Sequence, residues 1–174
     1  MRSITKIASP LLISLIILVT PAFSAWWDDE GVPVCTNSGT QYPPEIISDG
    51  AGGAIITWYD ARGADNDIYV QRVDASGNVQ WALNGVAACS ATGYQYSPKL
   101  VSDGDNGAII TWYDNRNGNY DIFAQRVKDS GVNMWFLPDG YPVCVTTGNQ
   151  YYPQIITDQE GGAIITWCDE RSGN

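Results

Sequence analysis

The chain has 174 residues, enough for one ordinary domain, with 19 acidic against nine basic residues and a net charge of −10. That balance, with no basic stripe, excludes nucleic acid as a partner, because an acidic surface repels phosphate backbones. Histidine is absent, which excludes a Ser-His-Asp triad and removes the commonest general base and zinc ligand.

The chain opens with MRSITK, a short basic start, then IASPLLISLIILVT, an apolar run, then PAFSA, a stretch of small residues. This is the three-part layout of a secretory signal peptide, assigned to residues 1–24. The expected cut follows Ser24, with Ala25 the second choice. The apolar run falls short of the roughly 18–20 residues that span a bilayer. An uncleaved anchor is therefore the weaker reading, and no stable membrane span is expected after cleavage. Arg2 and Lys6 leave with the leader, so the mature chain carries seven basic against 19 acidic residues, net −12. The expected location is extracellular, cell-surface or periplasmic. Trp26-Trp27-Asp28-Asp29-Glu30 are then expected to form a lead-in whose indoles cap an exposed blade face.

Three near-copies of one unit follow. GAIITWYD begins at Gly53 and again at Gly107, and GAIITWCD begins at Gly162. Gln41 to Gln95 is 54 residues and Gln95 to Gln150 is 55, and Cys35, Cys89 and Cys144 step by the same intervals. Each unit reads as strands. PEIIS is a short apolar run, and DGAGG or DGDNG is a glycine-rich turn that reverses the chain at positive φ. AIITWYD is β-branched and aromatic, and too short for a helix. ARGADN or NRNGNY is a polar loop. DIYVQRVD alternates, with Ile68, Val70 and Arg72 on one face and Tyr69, Gln71 and Val73 on the other. A last stretch begins at Trp81 or Trp135 and ends in GVAAC or GYPVC. No helix pattern appears after the leader.

Four antiparallel strands per unit of about 54 residues predict an all-β fold, an incomplete β-propeller built of stacked blades. Residues 25–40 hold the lead-in and a stray outer strand, GVPVC. Blade 1 covers 41–94, blade 2 covers 95–149, and a truncated blade 3 covers 150–174. Trp58, Trp112 and Trp167, with Trp81 and Trp135, are expected to pack between blades, with sugar stacking as the alternative. Two full blades and a half cannot close a ring of at least about four. The expectation is a reading frame cut short, the start of a longer protein, or assembly through open β edges.

The units SDGAGGAIITWYDAR…DIYVQRVDASG and SDGDNGAIITWYDNR…DIFAQRVKDSG resemble the tandem propeller-type repeats of large secreted or cell-surface bacterial proteins. The resemblance covers residues 31–174. It implies architecture and location rather than a reaction. A sialidase-type box is not present: Ser48 and Asp49 are adjacent, and Trp58 lies too far from Gly52.

Candidate chemistry is sparse. Asp60/Arg62, Asp114/Arg116 and Asp169/Arg171 form a D-x-R in each unit, expected to share a strand face and hydrogen-bond. They read either as structural pairs holding a loop or as a ligand-facing charged rim. A catalytic dyad would occur once per protein, not once per blade. The oxygen-rich loops Asp60–Asp67 and Asp114–Asp121 could take calcium, yet neither matches a D-x-[DN]-x-[DN]-G pattern, and turn chemistry is the plainer account. No other cofactor or metal is implied. Cys35, Cys89 and Cys144 are expected as small buried thiols, since equivalent positions on neighbouring blades lie beyond disulfide reach. Cys168 replaces Tyr59 and Tyr113; if one bridge forms, Cys144–Cys168 is the expected pair.

The expected function is therefore a non-enzymatic exported module, a scaffold or interaction region. Its partners would be the remaining blades of the same polypeptide, another β-edge partner, a glycan or a surface protein. One alternative is a lectin-like glycan binder using Tyr59 and Tyr113. The other is part of a propeller-fold glycoside hydrolase, which needs two carboxylates about 5–10 Å apart; the unit-specific acids are Glu45 and Glu170.

Overall fold

The computed structural model describes residues 31–172. The expected signal peptide and the Trp26-Trp27 lead-in lie outside the described residues. Ten strands follow in chain order: β1 (Glu45–Ser48), β2 (Ala54–Asp60), β3 (Asp67–Val73), β4 (Val86–Cys89), β5 (Gln95–Ser102), β6 (Ala108–Asp114), β7 (Asp121–Val127), β8 (Tyr141–Cys144), β9 (Gln150–Thr157) and β10 (Ala163–Asp169). There is no helix among the described residues. The strands make two four-stranded antiparallel sheets, β1-β2-β3-β4 and β5-β6-β7-β8, and a two-stranded sheet, β9-β10. Each sheet follows chain order; β1–β2 and β2–β3, and their counterparts, are joined by short turns, whereas β3–β4 and β7–β8 are joined by longer connections that hold Trp81 and Trp135.

The two faces of each strand go to different places. Ile55, Ile68 and Val70 of the first sheet join Leu100, Ile110, Trp112, Phe123 and Val127 of the second in one buried cluster. Ile56, Trp58 and Val73 point the other way, with Val34, Cys35 and Tyr69 against them. The period-2 alternation read in DIYVQRVD is thus real, and both faces are covered, as in stacked sheets. Each large side chain fully buried this way contributes about 1.5–3 kcal/mol.

Two local expectations are corrected. Gly31–Cys35 forms no strand, because no hydrogen-bonding neighbour flanks it among the described residues. It still lies where β4 lies against the second sheet. Thr36 N–H donates to Asn84 Oδ1 at 2.8 Å, as Ser90 N–H donates to Asp139 Oδ1 at 2.9 Å. Second, the stretch opening at Trp81 becomes strand only at Val86. Trp81 belongs to a connection fixed by the buried Gln71, whose Oε1 accepts Trp81 N–H at 3.0 Å and whose Nε2 donates to Ala82 O at 2.8 Å. Gln125 does the same for Trp135 and Leu137.

The glycine-rich turns use two kinds of glycine. Gly50 and Gly52 have φ of 79° and 94°, the left-handed region that side chains disfavour. Gly53 has no such φ; a Cβ there would collide with the Val73 carbonyl. Asp49 staples this turn. Its Oδ1 accepts the Ala51 and Gly53 amides at 2.8 and 2.7 Å, and its Oδ2 accepts Arg72 Nε at 2.9 Å. Asp103 and Arg126 repeat the arrangement.

Candidate functional site

At each junction between units the same four side chains meet. Trp58 Nε1 donates to Asp60 Oδ2 at 2.9 Å, and Arg62 Nη2 donates to the same oxygen at 2.6 Å. Arg62 Nη2 also reaches the Cys35 sulfur at 3.3 Å and Asn84 O at 2.9 Å. Trp112, Asp114, Arg116 and Cys89 repeat this, with Arg116 Nη2 at 3.0 Å from the sulfur and 2.8 Å from Asp139 O. Trp167, Asp169, Arg171 and Cys144 make the third copy. The D-x-R pairs therefore hydrogen-bond, though not by sharing a strand face. Asp60 and Asp114 end their strands, and the arginine folds back from the following loop, its own N–H on the carboxylate at 2.8 and 2.9 Å.

Burial pushes the Asp60 carboxyl up, but the Arg62 and Trp58 hydrogen bonds outweigh it and hold it below the ordinary carboxylate range. Arg62 and Arg116 also lie over the rings of Tyr69 and Phe123, at 3.5 and 4.0 Å. In the first two copies the carboxylate is thus wholly buried and turned inward on its own junction, whereas in the third Arg171 is half-exposed.

The cysteines belong to these junctions. All four are free thiols, and the expected Cys144–Cys168 bridge is not formed. Cys144 sits on β8 opposite Ile122 and meets Arg171, whereas Cys168 is exposed on β10 opposite Tyr151. Of the three repeated thiols only Cys89 is fully buried; its pKa is pushed up to about 12, chiefly by burial. Cys35 and Cys144 are half-buried.

The two oxygen-rich loops differ. Asp121 accepts Asn117 Nδ2 and Asn119 Nδ2, both at 2.9 Å. At the matching positions the first loop has Gly63 and Asp65, so Asp67 receives neither amide. Its pKa rises to about 6, through burial first and then through Asp65, Asp60 and Asp139. Among the described residues no group of three or more His, Cys, Asp or Glu is placed to hold a metal ion. The unit-specific acids are separately engaged: Glu45 pairs with Lys99, and Glu170 accepts Asn149 Nδ2 at 3.2 Å.

The feature that pattern reading missed is a band of tyrosines at the sheet ends where β5 and β9 begin and β2 and β6 finish. Tyr42 stacks on Tyr59 at 4.4 Å, and Tyr59 meets Tyr96 edge-on at 5.3 Å. Tyr96 reaches Tyr94, Tyr113 and Tyr120 at 6.0, 5.7 and 6.3 Å. Tyr113 then reaches Tyr151 and Tyr152 at 5.6 and 5.9 Å. Eight rings thus form one continuous contact chain across all three sheets. Tyr94 and Tyr152 are 42% and 63% exposed. Burial, then neighbouring phenols, raises the Tyr59 and Tyr120 hydroxyls above their ordinary range, so they remain protonated donors at neutral pH.

Two β-bulges shape the band. β5 and β9 each slip register at residues 97–98 and 152–153, with Ser97 and Tyr152 in the left-handed region at φ 48° and 51°. Bulges re-aim side chains, and positive φ outside glycine is strained. The first unit has Pro43 there, whose ring forbids that φ. Accordingly Gln41 makes only an isolated bridge to Asp60, and β1 starts at Glu45.

A separate surface groove of about 430 Å³ is lined by Arg116, Phe123, Leu137, Pro142 and Val145; its arginine is already committed to Asp114. No family model, no curated protein and no solved structure matches the chain.

Proposed function

We propose that the chain is an exported, non-enzymatic module of propeller-type blades, serving as a scaffold or interaction region. The observation that carries this reading is the recurring Trp-Asp-Arg-Cys junction. The charged side chains that could do chemistry occur once per unit and are consumed in joining one unit to the next. The leader sequence supports export.

The partner in this reading is further blades of the same kind. Ile46, on the outer face of the first sheet, is 66% exposed; Ile156 and Ile164, on the outer face of the third, are 62% and 59% exposed. Their counterparts inside the stack, Leu100 and Ile109, are buried. The two outer faces are therefore the two halves of the interior junction, which is the geometry of heterologous stacking. Sedimentation of the full chain tests this. Concentration-dependent association, abolished by Ile164→Glu, is expected. A chain that stays monomeric at high concentration and hydrolyses a glycoside would overturn the reading.

A further inference from the structure

We infer that the tyrosine band is a binding surface for a neutral glycan, engaged by several units at once; this rests on the reading of the chain as an interaction module. Ten tyrosines occur in the chain, against three phenylalanines. Eight of the ten lie in the band, and neither phenylalanine among the described residues, Phe123 or Phe136, does. Packing alone would be served as well by phenylalanine, whose ring lacks the hydroxyl that must be satisfied. Eight phenols gathered on a half-exposed surface supply apolar faces and hydroxyl donors together, which is what a sugar ring offers in return. The C–H face of a pyranose meets the electron-rich ring face, and its hydroxyls meet the phenols.

Ring orientation favours a sugar over a flat aromatic ligand. Interplanar angles along the band run from 7° to 86°, so faces and edges alternate rather than forming one stacking slot. Polar groups border the rings: Asn115 accepts Tyr94 N–H at 2.6 Å, and Asn149 and Glu170 adjoin Tyr151. Among the described residues no cation sits on the band: the two arginines seated on rings lie on Tyr69 and Phe123, outside it. With a net charge of −10, the surface disfavours anionic polysaccharides and favours uncharged ones. The bulge at Tyr152 is a local strain whose effect is to stand an exposed ring on this surface.

The test is calorimetric titration of the full chain with neutral hexasaccharides: maltohexaose, cellohexaose, chitohexaose, xylohexaose and mannohexaose. At least one is expected to bind. The double variant Tyr94→Ala/Tyr152→Ala, which removes the two most exposed rings, should weaken it about tenfold or more. Phe136→Ala, exposed but outside the band, should leave it unchanged. Circular dichroism and thermal melting verify that the variants fold. A folded chain that binds none of the five, or a double variant that binds as well as the parent, overturns the inference. Self-association lost in the double variant, with no sugar bound, overturns it in favour of a protein interface. Sugar cleavage during titration would instead overturn the non-enzymatic reading while leaving binding intact.

Discussion

The strands β6 and β10 differ by one residue, AIITWYD against AIITWCD, yet their surroundings are opposite. In β6 every side chain except Tyr113 is buried; in β10 alternate side chains face solvent. The difference teaches that the strand carries information for both faces, and that neighbouring sheets decide whether either is used. β6 lies between β5 and β7, with the first sheet on one side and β9 on the other. Among the described residues β10 pairs with β9 alone.

The sharpest way to break this comparison is to remove its largest side chain in both places. Trp112→Ala should destabilise the chain by about 3–5 kcal/mol, the cost of a fully buried indole. Trp167→Ala, at the same position of the third unit but only partly buried, should cost less, about 1.5–3 kcal/mol. Urea unfolding followed by circular dichroism checks both. Equal losses would mean that the sheets are not stacked as described.

A smaller contrast separates the ion pairs. Asp114 is wholly buried and Arg116 nearly so, whereas Arg171 is half-exposed. Arg116→Ala should cost about 2–4 kcal/mol, because it strands a buried carboxylate. Arg171→Ala should move the denaturation midpoint far less, since water screens that pair. Here too the denaturation midpoint is the readout.

The smallest effect sharpens the comparison of the two loops. The Asp67 pKa is raised from 3.8 to about 6, so the folded state holds this proton more tightly than the unfolded one. The resulting stability is fully present below pH 4 and is lost as the pH rises through 6. Asp67→Asn should therefore be near neutral at pH 4 and stabilising by about 1 kcal/mol at pH 7, after allowing for partial exposure. Asp121→Asn should destabilise at pH 7, since Asp121 already accepts two amide hydrogens. Melting temperatures between pH 4 and 7 measure both.

The repeated word, its strand faces and the D-x-R pairing were legible in the sequence because they recur at one spacing and obey a period of two. The disulfide expectation failed because Cys168 alternates with Trp167 and Asp169, which face the Cys144 junction, and so points to the opposite face of β10. Asp49 read as an ordinary turn residue, since its partner Arg72 lies 23 residues on, across two strands. The tyrosine band was legible only at Tyr59 and Tyr113, for a related reason. Tyr42, Tyr96 and Tyr151 repeat, as do Tyr59 and Tyr113, but Tyr94, Tyr120 and Tyr152 do not. Only stacking gathers residues some 50 positions apart onto one edge, and only Pro43, Ser97 and Tyr152 decide where the bulges fall.

Hydrogen exchange on the full chain, at a concentration where it is monomeric, tests the stacking most directly. Amides of β6 should exchange only through global unfolding, and those of β10 at least about a hundredfold faster through local opening. Equal protection of β6 and β10 in the monomer would contradict the account.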